Sequence, residues 1–156
     1  MSLHGLTKGS ELEPMIEQIA TAEAIGAAMY YAFARIAKED GFEDVAKKFI
    51  AAANQEAFHA GFYSTLNGKF PRDFWKLLPA LMKGEYEGKA SIQAIADKIR
   101  AADLDPELKE IAAKETEILA QQEHGHGDLV KKILEDHRPE LLEVDADPNE
   151  LMKYLM

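Results

Sequence analysis

The chain has 156 residues, 47% hydrophobic and 29% charged, enough for one soluble domain with a real core. Its formal net charge of -10 argues against a nucleic-acid partner, which needs a basic face, and more weakly against an anionic membrane. There is no cysteine, which excludes a disulfide scaffold, a catalytic thiol, a thiolate zinc site and an iron–sulfur or rubredoxin-type centre.

No apolar run approaches the roughly 18 residues that cross a bilayer. Met1-Ser2-Leu3-His4-Gly5 lacks an apolar signal core, so the expected compartment is the cytoplasm. Residues 1 to about 12 read as a polar lead-in. Pro14 suits a first helical turn, and Ile16, Ile19, Glu23, Ala27, Tyr30 and Ala34 then recur at helical spacing. This predicts a first helix from about 13 to 39, ended by Asp40-Gly41.

A second helix is expected from about 43 to 67, and the short connection makes the two antiparallel. Its stripe is Val45, Phe49, Ala52, Glu56, His59, Tyr63 and Leu66, at alternating steps of four and three. Asn67-Gly68 stops it. Pro71 and Pro79 bound a short apolar turn with Phe74, Trp75 and Leu78, read as a crossover segment.

The third helix has two readings. It begins near Pro79, or it is shorter and starts at an N-cap on Ser91. Ile92, Ile95, Ala96 and Ile99 form its later stripe, while Gly84 and Gly88 weaken the first half by about 1 kcal/mol each relative to alanine. Asp103-Leu104-Asp105-Pro106 ends it and opens a fourth helix, from about 106 to 136. Leu108, Ala112, Glu115, Leu119, His126, Val130 and Ile133 lie on one side of that helix. The tail, 137 to 156, holds Pro139 and Pro148. Its Leu151, Met152, Tyr154 and Leu155 suggest a short amphipathic turn that docks on the helices or on a second subunit.

Two pairs interrupt these apolar stripes. Glu56 and His59 stand three residues apart on the second helix, and Glu123 and His126 repeat that spacing on the fourth. A carboxylate and an imidazole on a core-facing stripe are costly unless something pairs with them. One such pair means little by itself, but two on apolar stripes suggest the two-metal carboxylate site of ferritin-like bundles, which needs one glutamate more from each remaining helix. Glu23 lies at the height of Glu56 and in heptad register with Ile16 and Tyr30. On the third helix Glu85 continues the stripe of Ile92 and Ile99, whereas Glu87 is turned well away, so Glu85 is chosen.

The expected fold is therefore all-α: an antiparallel four-helix bundle over 1–136 with a long crossover and a tail over 137–156. The expected metal ligands are Glu23, Glu56, His59, Glu85, Glu123 and His126. Four carboxylates balance two divalent cations, and a set without thiolates suits iron or manganese, with zinc possible by raw affinity. His124 is read as a surface residue, and His4 and His137 as solvent-exposed. Tyr30 is either a hydrogen-bond donor that orients a ligand carboxylate or a core tyrosine. Gly26, Gly61, Gly125 and Gly127 either leave room for oxygen or peroxide or, at 125 to 127, break the fourth helix.

The run from Glu23 to Ala34, then Gly41-Phe42-Glu43-Asp44-Val45-Ala46, then Glu56-Ala57-Phe58-His59-Ala60, resembles the rubrerythrin branch of the ferritin-like superfamily. Ala80 to Glu85 is similar to the start of that family's third helix, and Glu123-x-x-His126 to its closing motif. The resemblance covers roughly 13 to 136. It implies two irons, reaction of the diferrous centre with hydrogen peroxide or oxygen, and an oxidoreductase of peroxidase or ferroxidase type. Rubrerythrins usually carry a cysteine-bearing rubredoxin domain, so this chain is expected to use an external electron donor. Gly88 stands where the family has a further glutamate that takes part in a redox-linked ligand exchange. The alternatives are a ferroxidase or iron-handling protein and a non-catalytic metal-binding dimer. A homodimer is expected in either case.

Overall fold

A computed structural model describes residues 1–155, with only the backbone of Leu155. Among the described residues the regular structure is all helical. The chain forms two compact units, Met1–Arg72 and Asp73–Met156. The first holds α1 (Glu13–Glu39) and α2 (Glu43–Leu66), packed along each other as a hairpin. The second holds α3 (Leu78–Ala101) and α4 (Pro106–His137), packed in the same way, and ends in α5 (Met152–Leu155). None of the described helices is long and apolar enough to cross a membrane.

Each hairpin closes on small side chains at heptad spacing. Ala20, Ala27 and Ala34 on α1 are buried, as are Ala46 and Ala53 on α2. In the second unit Ala113, Ala120, Gly127 and Leu134 form the same row along α4, with Ala96 buried on α3. Alanine at the contact lets two helix axes approach closely, and a seven-residue repeat keeps the row on the seam. Larger groups plug the ends. Phe49 packs on Ala34, Ala37 and Ala46 in the first unit. In the second, Trp75, Leu141 and Leu142 pack on Leu78, Val130 and Leu134.

The stripe of Val45, Phe49, Glu56 and Tyr63 therefore lies beside the α1–α2 seam, half-buried, while Ala46 and Ala53 occupy the seam itself. The α1–α2 turn uses Gly41 at φ 83°, a conformation glycine adopts without penalty, and Phe42 N–H donates to Ala37 O at 2.7 Å. The lead-in is docked on the end of α2. Gly5 N–H donates to Thr65 O at 2.9 Å and Thr7 N–H to Leu66 O at 3.0 Å, satisfying carbonyls that a helix terminus leaves open. Thr7 Oγ1 donates to Asn67 Oδ1 at 2.5 Å, and Asn67 Nδ2 donates to Glu13 O at 2.9 Å.

The third helix follows the longer of its two readings. It starts at Leu78 with Pro79 in its first turn, and Ser91 lies within it, its hydroxyl on Glu87 O. Its glycines serve close approaches: a Cβ on Gly84 would lie 3.5 Å from Pro148 Cβ, and one on Gly88 3.5 Å from Glu123 Oε2. The fourth helix runs unbroken through Gly125 and Gly127 and is capped by Asp105, whose carboxylate accepts from Glu107 N at 3.0 Å and Leu108 N at 2.9 Å. Arg100 ties α3 to α4 through Glu110 at 3.1 Å and Glu117 at 2.6 Å. The tail docks within its own unit, where the 3₁₀ turn Pro148–Leu151 lies against α3.

Candidate metal centre

The hairpin geometry places a glutamate of one helix against the Glu-x-x-His pair of the next. In the first unit His59 Nδ1 lies 3.3 Å from Glu23 Oε2 and 3.8 Å from Glu56 Oε2. In the second, His126 Nδ1 lies 3.3 Å from Glu85 Oε2 and 3.9 Å from Glu123 Oε2. The structure thus brings the six sequence-predicted ligands together as two triads, one per unit. Within each triad the ligand atoms lie within 4.8 Å of one another, within reach of a single cation. Glu85 joins the second triad, while Glu87 is exposed.

The triads share more than their ligands. Gly26 follows Glu23 by three residues, and a Cβ there would lie 3.6 Å from Glu56 Oε2. Gly88 follows Glu85 by three and stands in the same relation to Glu123. Each helix that supplies the lone glutamate therefore carries a glycine one turn later, facing the carboxylate of its neighbour. The glutamates are half-buried and the imidazoles half-exposed, at 50% for His59 and 57% for His126.

The electrostatics of both triads are those of crowded carboxylates. Glu56 is held above the usual carboxylate range, chiefly by its hydrogen bond with Glu23, while that same bond holds Glu23 below it. The two shifts have one cause, two carboxylates brought within hydrogen-bond reach of each other. Burial raises Glu85, and the neighbouring Glu123 raises it further. Glu85 Oε2 is buried without a hydrogen-bond partner. A desolvated carboxylate oxygen lacking a donor is costly until a proton or cation reaches it. Two carboxylates and a neutral imidazole balance one divalent ion per triad, and the oxygen and nitrogen donors suit iron, manganese or zinc.

The remaining candidates take other places. Tyr30 stacks on Phe49 with ring centroids 5.9 Å apart, and among the described residues no hydrogen bond joins its hydroxyl to a triad carboxylate. His4 Nε2 lies 2.8 Å from Phe70 O, and His137 packs near Trp75. Gly61 and Gly125 face open space. Gly127 makes room for a tyrosine: a Cβ there would come within 2.6 Å of Tyr86 Cε1. Tyr86 was not singled out by the periodicity, because it lies off the Glu85 stripe. Its only sequence signal is a large ring one residue after Glu85, matched by a glycine one residue after His126.

The comparisons with known proteins bear on the family. The rubrerythrin family model matches residues 15–77, which span Glu23, Glu56 and His59. An uncharacterized protein of Methanocaldococcus jannaschii is 31% identical over 102 residues, covering 65% of this chain and 72% of that protein. No solved structure matches the chain. With a Glu-x-x-His pair facing a lone glutamate in each hairpin, the chain belongs to the rubrerythrin family, within the ferritin-like di-iron proteins.

Proposed function

We propose that this protein is a non-haem di-metal carboxylate protein that holds two irons and reduces hydrogen peroxide or reacts with oxygen. The observation that carries this reading is the recurrence of one triad in both hairpins, with matching imidazole-to-carboxylate separations. Glu23, Glu56 and His59 would hold one ion, and Glu85, Glu123 and His126 the other. Bound iron supplies the one-electron steps that peroxide or oxygen reduction needs. The chain supplies the ligands and the proton accounting. A cation in the first triad would relieve the crowding of Glu23 against Glu56, and one in the second would give the buried Glu85 Oε2 a partner.

The partners in this reading are a small-molecule oxidant, an external electron donor and a second copy of the chain. Large apolar side chains support the last of these: Phe58 is 74% exposed on α2, and Ile118, Leu119 and Leu129 are all exposed on α4. A second reading, iron handling or metal binding without turnover, is favoured by Gly88, which offers no carboxylate beside Glu123.

Anaerobic loading with ferrous iron, followed by metal analysis and peroxide addition, tests both. About two irons per chain with fast oxidation supports the enzyme reading. Two irons without fast oxidation supports the second. Less than one iron per chain overturns the metal assignment.

A further inference from the structure

Tyr86 occupies a distinctive place beside the second triad. It follows Glu85 directly in sequence, and its ring fills the space left by Gly127, which follows His126 directly. Consecutive Cα atoms stand about 3.8 Å apart, so the backbones of Tyr86 and Gly127 each lie one residue step from a triad residue, on two helices. Its hydroxyl donates to Asp128 Oδ1 at 2.8 Å. The His124 ring lies 5.1 Å from the Tyr86 ring, with Nε2 3.9 Å from Asp128 Oδ2.

A phenol that loses an electron becomes a strong acid at its O–H, so one-electron oxidation is easiest where a base already accepts that hydrogen bond. Asp128 is such a base. Its carboxylate is 62% exposed and can pass a proton to water. Tyr31 and Tyr30 lack the combination. Tyr31 donates to the Asn54 amide oxygen at 2.7 Å, which is no proton acceptor near neutral pH, and Tyr30 stacks on Phe49. At the positions of the first triad that correspond to Tyr86 and Gly127 stand Ala24 and Ala60.

We propose that Tyr86 is an internal one-electron donor to the metal held by Glu85, Glu123 and His126. This rests on the metal reading above. In the step, hydrogen peroxide takes two electrons from that ferrous ion, its O–O bond breaks and its oxygens end at the level of hydroxide or water, and Tyr86 then returns one electron to the ion. Its hydroxyl proton moves to the Asp128 carboxylate. The O–H bond breaks and the Asp128 O–H bond forms. The products are a neutral phenoxyl radical, a carboxylic acid and a metal ion reduced by one electron. An external one-electron reductant then restores the phenol, and the proton returns from Asp128. The α3–α4 hairpin is thereby the side through which electrons enter.

The test uses the full chain loaded anaerobically with ferrous iron, mixed with hydrogen peroxide, frozen within the reaction and examined by electron paramagnetic resonance. Iron is counted on the same samples. The expected result is a tyrosyl radical, identified by its narrowing when the protein carries ring-deuterated tyrosine. Tyr86→Phe should lower it at least tenfold, Asp128→Asn should lower its yield, and Tyr31→Phe should leave it unchanged. Tyr86→Phe keeps the ring in the Gly127 slot, so its iron content should match the parent protein. Iron-loaded protein with no radical, or with a radical that persists in Tyr86→Phe, overturns the proposal and leaves the metal reading standing. A chain that binds no iron overturns both.

Discussion

His59 Nδ1 lies 3.3 Å from Glu23 Oε2 across thirty-six residues of sequence. The second hairpin repeats the relation between His126 and Glu85 at the same separation. An imidazole is brought against a carboxylate of another helix twice, with a second glutamate one turn away each time, the arrangement that the proposed metal reading requires.

Removing one carboxylate from each triad in turn tests that statement. Glu56→Ala should lower bound iron by about one per chain, and Glu123→Ala by about one, while the double substitution leaves none. Metal analysis after ferrous loading and desalting reads the outcome. Unchanged content in either single variant would refute that triad.

Gly127 and Tyr86 give a sharp packing prediction. Alanine is favoured over glycine within a helix by about 1 kcal/mol. Gly127→Ala should nevertheless destabilise the protein, because its Cβ would meet the Tyr86 ring at 2.6 Å. In a Tyr86→Ala background the same substitution should stabilise. Denaturant unfolding of the four proteins in the cycle measures the coupling, and additive effects would show that the slot does not matter.

The alanine seam predicts a different sensitivity. Ala53 is fully buried between α1 and α2, so Ala53→Leu should cost about 1 to 3 kcal/mol through overpacking. Ala57→Leu, at a position exposed on α2, should cost far less. Equal losses of stability in chemical denaturation would show that the seam is not where α2 packs.

Glu117 supplies a pH dependence. Its hydrogen bond from Arg100, with a further one from Gln93, holds its carboxyl at about 2, below the ordinary value of 4.5. A depressed folded-state value stabilises the fold above the unfolded value, and that contribution disappears as pH falls through the folded one. The contribution is thus complete above about pH 4.5 and lost towards pH 2. Thermal midpoints for the parent and Glu117→Gln should converge across that window, and parallel curves would disprove the assignment.

Much of the architecture was legible along the chain. Pro14, Asp40-Gly41, Asn67-Gly68 and Asp105-Pro106 mark helix ends because caps and breakers act on their immediate neighbours. The Glu-x-x-His pairs were legible because three-residue spacing on a helix is itself a geometric statement. The face that closes each hairpin was harder to read. Large apolar residues at alternating steps of four and three drew the eye to Val45, Phe49 and Tyr63, whereas Ala46 and Ala53 form the contact. Hydrophobicity grades side chains by size, and a close helix seam selects the small ones.

The sequence by itself determined that the chain is helical, where the helices begin and end apart from the start of the third, and which carboxylates and imidazoles share a helix face. These follow from local spacing and capping. Only the tertiary structure decided that the third helix starts before Glu85, that Glu23 and Glu85 each meet a histidine of the next helix, and that Gly127 exists for the Tyr86 ring. It also decided that the lead-in, through Gly5 and Thr7, caps α2. Each of these depends on how closely two backbones approach, a distance that no single segment encodes until its partner is packed against it.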